Sequence, residues 1–308
     1  MKKVDYGSVK MLLAIENPNV RKGLLNTLQQ EGFSRFEQAA SYEAFLSVLA
    51  AEAFDVVVAA TEISGEFIPP RIAQLRQGIF GRHPLPIVVE LLVDSDADYI
   101  RKVIDSGPDD LLQLPVSPGQ LLNRLPVLAE KRKPFIVTSD YVGPDRRQTP
   151  RPGVATSLIE VPNPLAMKLE QQSDAAVLEV MTAAGDRLRQ MRIARFAFEL
   201  QWLLRAIRQL FQSEERDAEK LETFCGRIKT LLIHLPPLLS TEATTAIAPL
   251  SERLALGANI VVKNGFSADA TVLNGLGGLV NGMTQAMLGA LSPEALEASG
   301  YGRISAVK

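Results

Sequence analysis

DVVVAATEISG, residues 55–65, is a strand running into a loop. The five residues Val56–Ala60 are apolar without a break, and Thr61, Glu62, Ser64 and Gly65 follow. A continuous apolar run is what a central parallel strand needs, because helices cover both of its faces. The same signature recurs on either side: VKMLLAI (9–15), PIVVELLV (86–93) and DLLQL (110–114), with Phe36–Ala40 as a fifth strand. Helical segments fall between them. Asn19–Gly32 carries Val20, Leu24, Leu25 and Leu28 on one face, with Asn19 placed to cap it and Gly32 to end it. Tyr42–Ala53, Ile72–Gln77, Asp98–Ser106 (ended by Gly107) and Gly119–Ala129 follow. Strands alternating with helices predict an α/β fold, a doubly wound five-stranded parallel sheet, over residues 1–129.

The rest of the 308 residues divides in two. Residues 130–164 hold prolines at 134, 144, 150, 152, 162 and 164 and read as a Pro-rich linker. Within it PFIVTSDYVGPDRR is too apolar and aromatic for a pure spacer. Residues 165–308 read as an all-α domain. Asp186–Phe211 has no glycine or proline and carries Leu188, Met191, Ala194, Phe198, Trp202, Leu203, Ile207, Leu210 and Phe211. Leu221–Leu235, Thr244–Val262 and Ala270–Leu291 supply three more helices. The sequence leaves open whether these form a four-helix bundle or an extended dimer.

Composition excludes several classes. Hydrophobic residues make up 46% and charged residues 22%, enough to bury a core. The net charge of −2 gives no global drive towards nucleic acid. A lone cysteine, Cys225, excludes an intramolecular disulfide or cysteine cluster. The longest charge-free stretch, Ala270–Pro293, is interrupted by Asn274, Asn281, Gln285 and five glycines, so no membrane span is expected. No secretory signal is visible, and the cytoplasm is the expected location.

Spacing and punctuation in the first 129 residues resemble the receiver domain of bacterial two-component response regulators, a flavodoxin-like fold. AIENPNVR is similar to that family's opening strand, acidic loop and helix. DVVVAATEISG is similar to the third strand and its phosphoacceptor loop, and PIVVELL to the fourth strand. GPDDLLQLPVSPGQLLNRL is similar to the stretch running through the last strand, a Lys-Pro pair and the last helix. The resemblance implies a pocket built from an acidic pair, a phosphoacceptor Asp, a hydroxyl and a Lys. This sequence departs from it at nearly every position. The acidic pair falls on Ile15 and Glu16, the phosphoacceptor on Ala60, the hydroxyl on Leu91 or Leu92, and the lysine on Leu114, before the proline (Pro115) that is cis-forming in the family. Alanine has no oxygen on which an acyl phosphate could form, and one carboxylate does not hold Mg²⁺. No metal, cofactor or catalytic residue is expected.

Replacements are few. Asp55 starts its strand far from the loop; Thr61 and Ser64 are hydroxyls in the right loop; Asp109 and Asp110 match an ordinary loop of the family. Glu90 lies in an apolar strand and either faces the old pocket or snorkels, and Glu16 reads as a solvated carboxylate.

Elsewhere, Asp186–Arg208 holds six arginines (187, 189, 192, 195, 205, 208) against Asp186 and Glu199, leaving +4. It reads as the wet face of a long helix, with a phosphate- or nucleic-acid-binding helix (186–208) as the alternative. DYVGPDRR (140–147) reads as a packed linker or as a docking segment in which Tyr141, Arg146 and Arg147 meet an acidic partner. Gly278, Gly282, Ala286 and Ala290 form a small-residue stripe, suited to a close helix contact inside the chain or between two copies. His234, before two prolines, reads as a helix-end residue, and His83 has no partner motif. In such regulators the last helix and adjoining surface serve as a protein interface. The expected function is a non-catalytic signalling protein, a pseudo-receiver that contacts other signalling proteins and forms a homodimer, without membrane or nucleic-acid partners.

Overall fold

A computed structural model describes residues 5–147, 158–289, 291–293 and 296. The chain forms two compact units, residues 1–136 with 141–186, and residues 137–140 with 187–308.

In the first unit the elements run β1 (Lys10–Ala14), α1 (Pro18–Gln30), β2 (Arg35–Ala39), α2 (Tyr42–Ala51), β3 (Val56–Ala60), a small hairpin of β4 (Glu62–Ile63) and β5 (Glu66–Phe67), α3 (Pro69–Arg76), β6 (Ile87–Leu92), α4 (Ala97–Ile104), β7 (Asp110–Gln113) and α5 (Pro118–Glu130). The main sheet has the order β2-β1-β3-β6-β7, with β1–β2, β1–β3, β3–β6 and β6–β7 all parallel. This is the flavodoxin-like order, whose functional crevice lies at the carboxyl ends of the strands.

Strand alternation fixes the two layers. Met11, Leu13, Val56, Val58, Ile87, Val89 and Leu91 pack with Leu24 and Leu28 of α1 and Leu121, Leu125 and Leu128 of α5. Leu12, Ala14, Val57, Ala59 and Val88 pack with Phe45 and Leu49 of α2 and Ile72 and Leu75 of α3. Helix α1 starts two residues earlier than its apolar stripe suggests. Its cap is Asn17, not Asn19: the Asn17 side chain accepts from the Asn19 and Val20 amides, with Pro18 at the first helical position.

The expected linker is largely part of this unit. After β8 (Phe135–Val137) and β9 (Val142–Pro144), Phe135 bridges Ile159, and α6 (Pro164–Leu169) buries Leu165 against the α1/α5 layer. Asn163 donates to the Leu128 and Ala129 carbonyls at the end of α5 and accepts from Ala166 at the start of α6. The division between units therefore falls after Asp186, inside α7 (Asp174–Gln212), and not at residue 165. Gln148–Gly153 and the stretch to Thr156 lie outside the described residues.

In the second unit α7 is followed by α8 (Ala218–His234), α9 (Thr241–Asn264) and α10 (Ala270–Gly289). All four helices contribute to one core: Phe196, Leu200, Leu203 and Ile207 from α7, Cys225 and Ile228 from α8, Leu254 and Val261 from α9, Val280 and Met283 from α10. The expected stripe on α7 is largely buried, with Leu188, Met191, Ala194, Leu203 and Ile207 in the interior, while Phe196 and Leu200 take the core places of Phe198, which is half-buried, and Trp202, which is 47% exposed with an edge against Phe224. Among the described residues no helix is long and apolar enough to cross a membrane.

Candidate functional site

At the carboxyl ends of the strands, the turn after β1, the end of β3 and the turn after β7 enclose an open pocket of about 650 Å³. Ile15, Glu16, Asn17, Pro18 and Val20 form one wall, Ala60, Glu62 and Val93 the second, Leu114 and Pro115 the third. The Leu114–Pro115 peptide is cis. The fold thus brings Ile15, Glu16, Ala60 and Leu114 together. Leu91 is not with them. It pairs with Leu112 across β6 and β7 and is fully enclosed in the α1/α5 layer. Leu92 is buried beside it and Val93 takes the place at the rim.

The polar groups here serve the fold. Glu16 is exposed, and its carboxylate is engaged: Oε2 accepts from the Ser64 amide at 2.7 Å, tying the loop after β1 to the loop after β3. Ser64 adopts φ +56°, which presents that amide. Arg21 donates to the Ile15 and Glu16 carbonyls from the other side. Thr61 is fully buried; its hydroxyl donates to the Leu91 carbonyl and accepts from the Val93 amide and from the Tyr99 hydroxyl at 2.7 Å. Burial pushes the Tyr99 phenol up to about 12, against the Thr61 hydrogen bond. Tyr99 escapes the sequence analysis because only the fold brings α4 to Thr61 and Phe67 and gives it a role.

Ile15, Ala60 and Leu114 present carbon, Glu16 accepts from a backbone amide, Glu62 is the other carboxylate on the walls, and no lysine or arginine lines them. Among the described residues no cluster of three metal-ligating side chains exists. The residues do not fit Mg²⁺.

Other candidates land elsewhere. Glu90 neither faces the pocket nor snorkels. It is fully buried, accepts from the Ser106 hydroxyl at 2.9 Å, and its second oxygen has no partner. Burial pushes its carboxyl up to about 8, beyond what Ser106 and the field of Arg146 return. Arg146 donates to the Ile104 and Pro108 carbonyls, and Arg147 pairs with Asp145. Tyr141 donates to the Pro144 carbonyl. Within DYVGPDRR, residues 141–147 pack in the first unit, and Asp140 belongs to the second. Asp55 is buried at the far end of β3, accepts from the Lys10 amide and is raised to about 6 by burial. His83 is also buried, which pulls its imidazole down to about 4.

On α10, Gly278 and Ala286 are exposed and Gly282 is half-buried. A methyl group at Gly278 would meet nothing within 4 Å, and at Gly282 only Leu250 at 3.7 Å. The stripe is not the close helix crossing within the unit. That role falls to Gly257, where a Cβ would sit 2.6 Å from Leu276. Ala290 lies outside the described residues.

No known protein family and no curated protein matches the sequence. Among solved structures, the chain is similar to the response regulator DrrB of Thermotoga maritima, an OmpR/PhoB homolog, with 26% identity and a TM-score of 0.36 over 41% of this chain and 55% of DrrB. It is similar to the BeF3-activated DrrB receiver domain, with 26% identity and a TM-score of 0.35 over 40% of this chain and 98% of that domain. A third likeness is a response regulator from Burkholderia pseudomallei, with 20% identity and a TM-score of 0.34 over 40% of this chain and 72% of that one. The N-terminal unit has the flavodoxin-like fold, which its strand order shows by itself, and the chain spans 55% of the length of DrrB.

Proposed function

We propose that this chain is a two-component-type signalling protein whose receiver unit accepts no phosphate at the usual position and whose output is protein–protein contact. The observation that carries this reading is the carbon lining of the strand-end pocket at Ile15, Ala60 and Leu114, with Glu16 held by Ser64. Ala60 stands at the usual phosphoacceptor position, the acidic pair is reduced to Glu16 beside Ile15, and Leu114 stands at the lysine position, a combination that no single substitution restores. What remains is a rigid α/β scaffold presenting fixed surfaces. The helical unit keeps large apolar side chains at its surface, with Ile233 72% and Leu256 60% exposed, and with the small-residue stripe of α10 beside solvent. Self-association through that unit, as a two-fold homodimer, follows the commonest geometry of soluble oligomers.

The test is incubation of the full chain with acetyl phosphate and Mg²⁺, followed by intact-mass and peptide mass spectrometry. The expected result is no added phosphoryl group. An acid-labile phosphoaspartate anywhere in the receiver unit overturns the reading.

A further inference from the structure

The arginine-rich stretch of α7 is not a uniformly wet face. Arg187, Arg205 and Arg208 are exposed, but Arg192 is only 2% exposed and Arg195 is half-buried. Within the second unit Arg192 Nε donates to the Ser139 carbonyl at 3.0 Å, and the guanidinium lies 5.5 Å from the centre of the Phe196 ring. Its Nη1 has no acceptor. Neither has Nε of Arg195, and both atoms are closed off from solvent. The acids of this region are already engaged. Arg227 pairs with Glu199 (Nε to Oε1, 2.5 Å) and with Asp140 (Nη2 to Oδ2, 2.7 Å), and the Ser139 hydroxyl donates to Glu199 at 2.5 Å. Asp140 acts on Arg192 only through its field, and burial outweighs it, pulling the guanidinium down to about 10. Arg195 is pulled down by burial with no acid acting on it.

Two guanidinium groups three residues apart share one side of a helix. Burying a cation without a partner is among the most costly arrangements in a protein, and an orphaned buried donor calls for an acceptor that protein atoms do not supply here. We infer that Arg192 and Arg195 form an anion site on α7 that takes a small oxyanion, a phosphate group or its sulfate analogue, free or carried on a small molecule. The guanidinium fork matches a tetrahedral oxyanion and stays charged at any physiological pH. The burial of Arg192 selects a compact anion over a nucleic-acid strand, which is held by exposed cations along its length. This site is independent of the strand-end pocket, so its failure leaves the phosphorylation reading untouched.

The experiment is thermal denaturation of the full chain at pH 7 in sodium phosphate, sodium sulfate, adenosine monophosphate or sodium chloride at matched ionic strength. At 10 mM, phosphate and sulfate are expected to raise Tm by about 3 °C or more over chloride. An equal rise with adenosine monophosphate identifies the phosphate group alone as the ligand, and a larger one a phosphorylated small molecule; both support the site. Arg192→Met with Arg195→Met is expected to fold and to lose the anion-dependent rise, since apolar replacement of unpaired buried charge is tolerated. Should that pair fail to fold, Arg195→Gln alone, at a half-buried position, is expected to remove at least half of the rise. No difference between phosphate and chloride overturns the proposal, as does a rise that the variants retain. A 20-base-pair DNA duplex that outperforms phosphate at equal phosphate concentration assigns the arginines to nucleic acid and also overturns it.

Discussion

Asp109→Ala is the most incisive test of how the receiver unit is held together. Asp109 lies in the turn before β7, and its side chain is 2% exposed. It receives Arg76 Nη2 at 2.6 Å and Arg132 Nε at 2.9 Å, and it accepts the Val88 amide at 2.8 Å. Both guanidinium groups are themselves almost wholly buried, and both also donate to backbone carbonyls: Arg76 to Gly107, Pro84 and Pro86, Arg132 to Leu85, Pro162 and Pro86. Removing the carboxylate leaves those carbonyl bonds but strands two buried charges, which costs about 3–5 kcal/mol for a broken buried pair. The orphaned Val88 amide adds about 1 kcal/mol. Because the carbonyls keep the arginines hydrogen-bonded, the lower half of the range applies, and we expect a total near 4 kcal/mol. At about 2–4 °C per kcal/mol for a unit of this size, Tm falls by roughly 8–16 °C. Urea unfolding followed by circular dichroism measures it, with Asp98→Ala as control, because the Asp98–Arg101 pair is exposed and contributes less than about 1 kcal/mol. Burial pushes the Asp109 carboxyl up, but Arg132, Arg76 and the Val88 amide more than offset this and hold it below the usual range. Its stabilisation is therefore present at neutral pH and is lost as pH falls below ~4 and through its folded value. A loss under about 1 kcal/mol for Asp109→Ala refutes the argument that this network is the keystone of the unit.

Three further outcomes follow from the same geometry. Glu90→Gln is expected to gain stability relative to the parent as pH rises from 6 to 9, exceeding about 1 kcal/mol at pH 8, because a carboxyl raised to about 8 must stay protonated in the fold while the unfolded chain ionises; a pH-independent difference refutes this. Gly107→Ala is expected to lose at least about 2 kcal/mol, since Gly107 has φ +90° and a Cβ would lie 2.7 Å from the Val142 carbonyl, whereas Gly23→Ala on α1 meets nothing within 4 Å and is expected to gain about 0.5–1 kcal/mol; chemical denaturation reads both. Gly278→Leu points into open space in the isolated chain, so it is expected to keep the helical unit folded while converting dimers to monomers in light scattering; dimers that persist, or a parent chain that is monomeric at tens of micromolar, place self-association elsewhere or remove it.

The alternation of apolar strands and amphipathic helices is local information, and it is why the sheet and its five strands are legible from residues 9 to 114 alone. The departure from the usual residues of the strand-end pocket is equally local: Ile15, Ala60 and Leu114 carry no carboxylate or amine wherever the chain folds. Termini of elements are less legible, because a cap such as Asn17 is chosen by where Pro18 permits the first turn. What the tertiary structure alone decided is the fate of the polar side chains. Glu16 reads as solvated until the Ser64 amide is brought to it, and Glu90 reads as a strand anomaly until Ser106 is placed beside it. The partners of Arg146 and Arg147, the Ile104 and Pro108 carbonyls and Asp145, are likewise set by the fold. Arg76, Asp109 and Arg132 come from three separate segments and carry no mark of their meeting. A hydrophobic side chain signals its burial by type and period; a charged one does so only through the partner that neutralises it, and partners are set by contacts across the fold that periodicity does not encode.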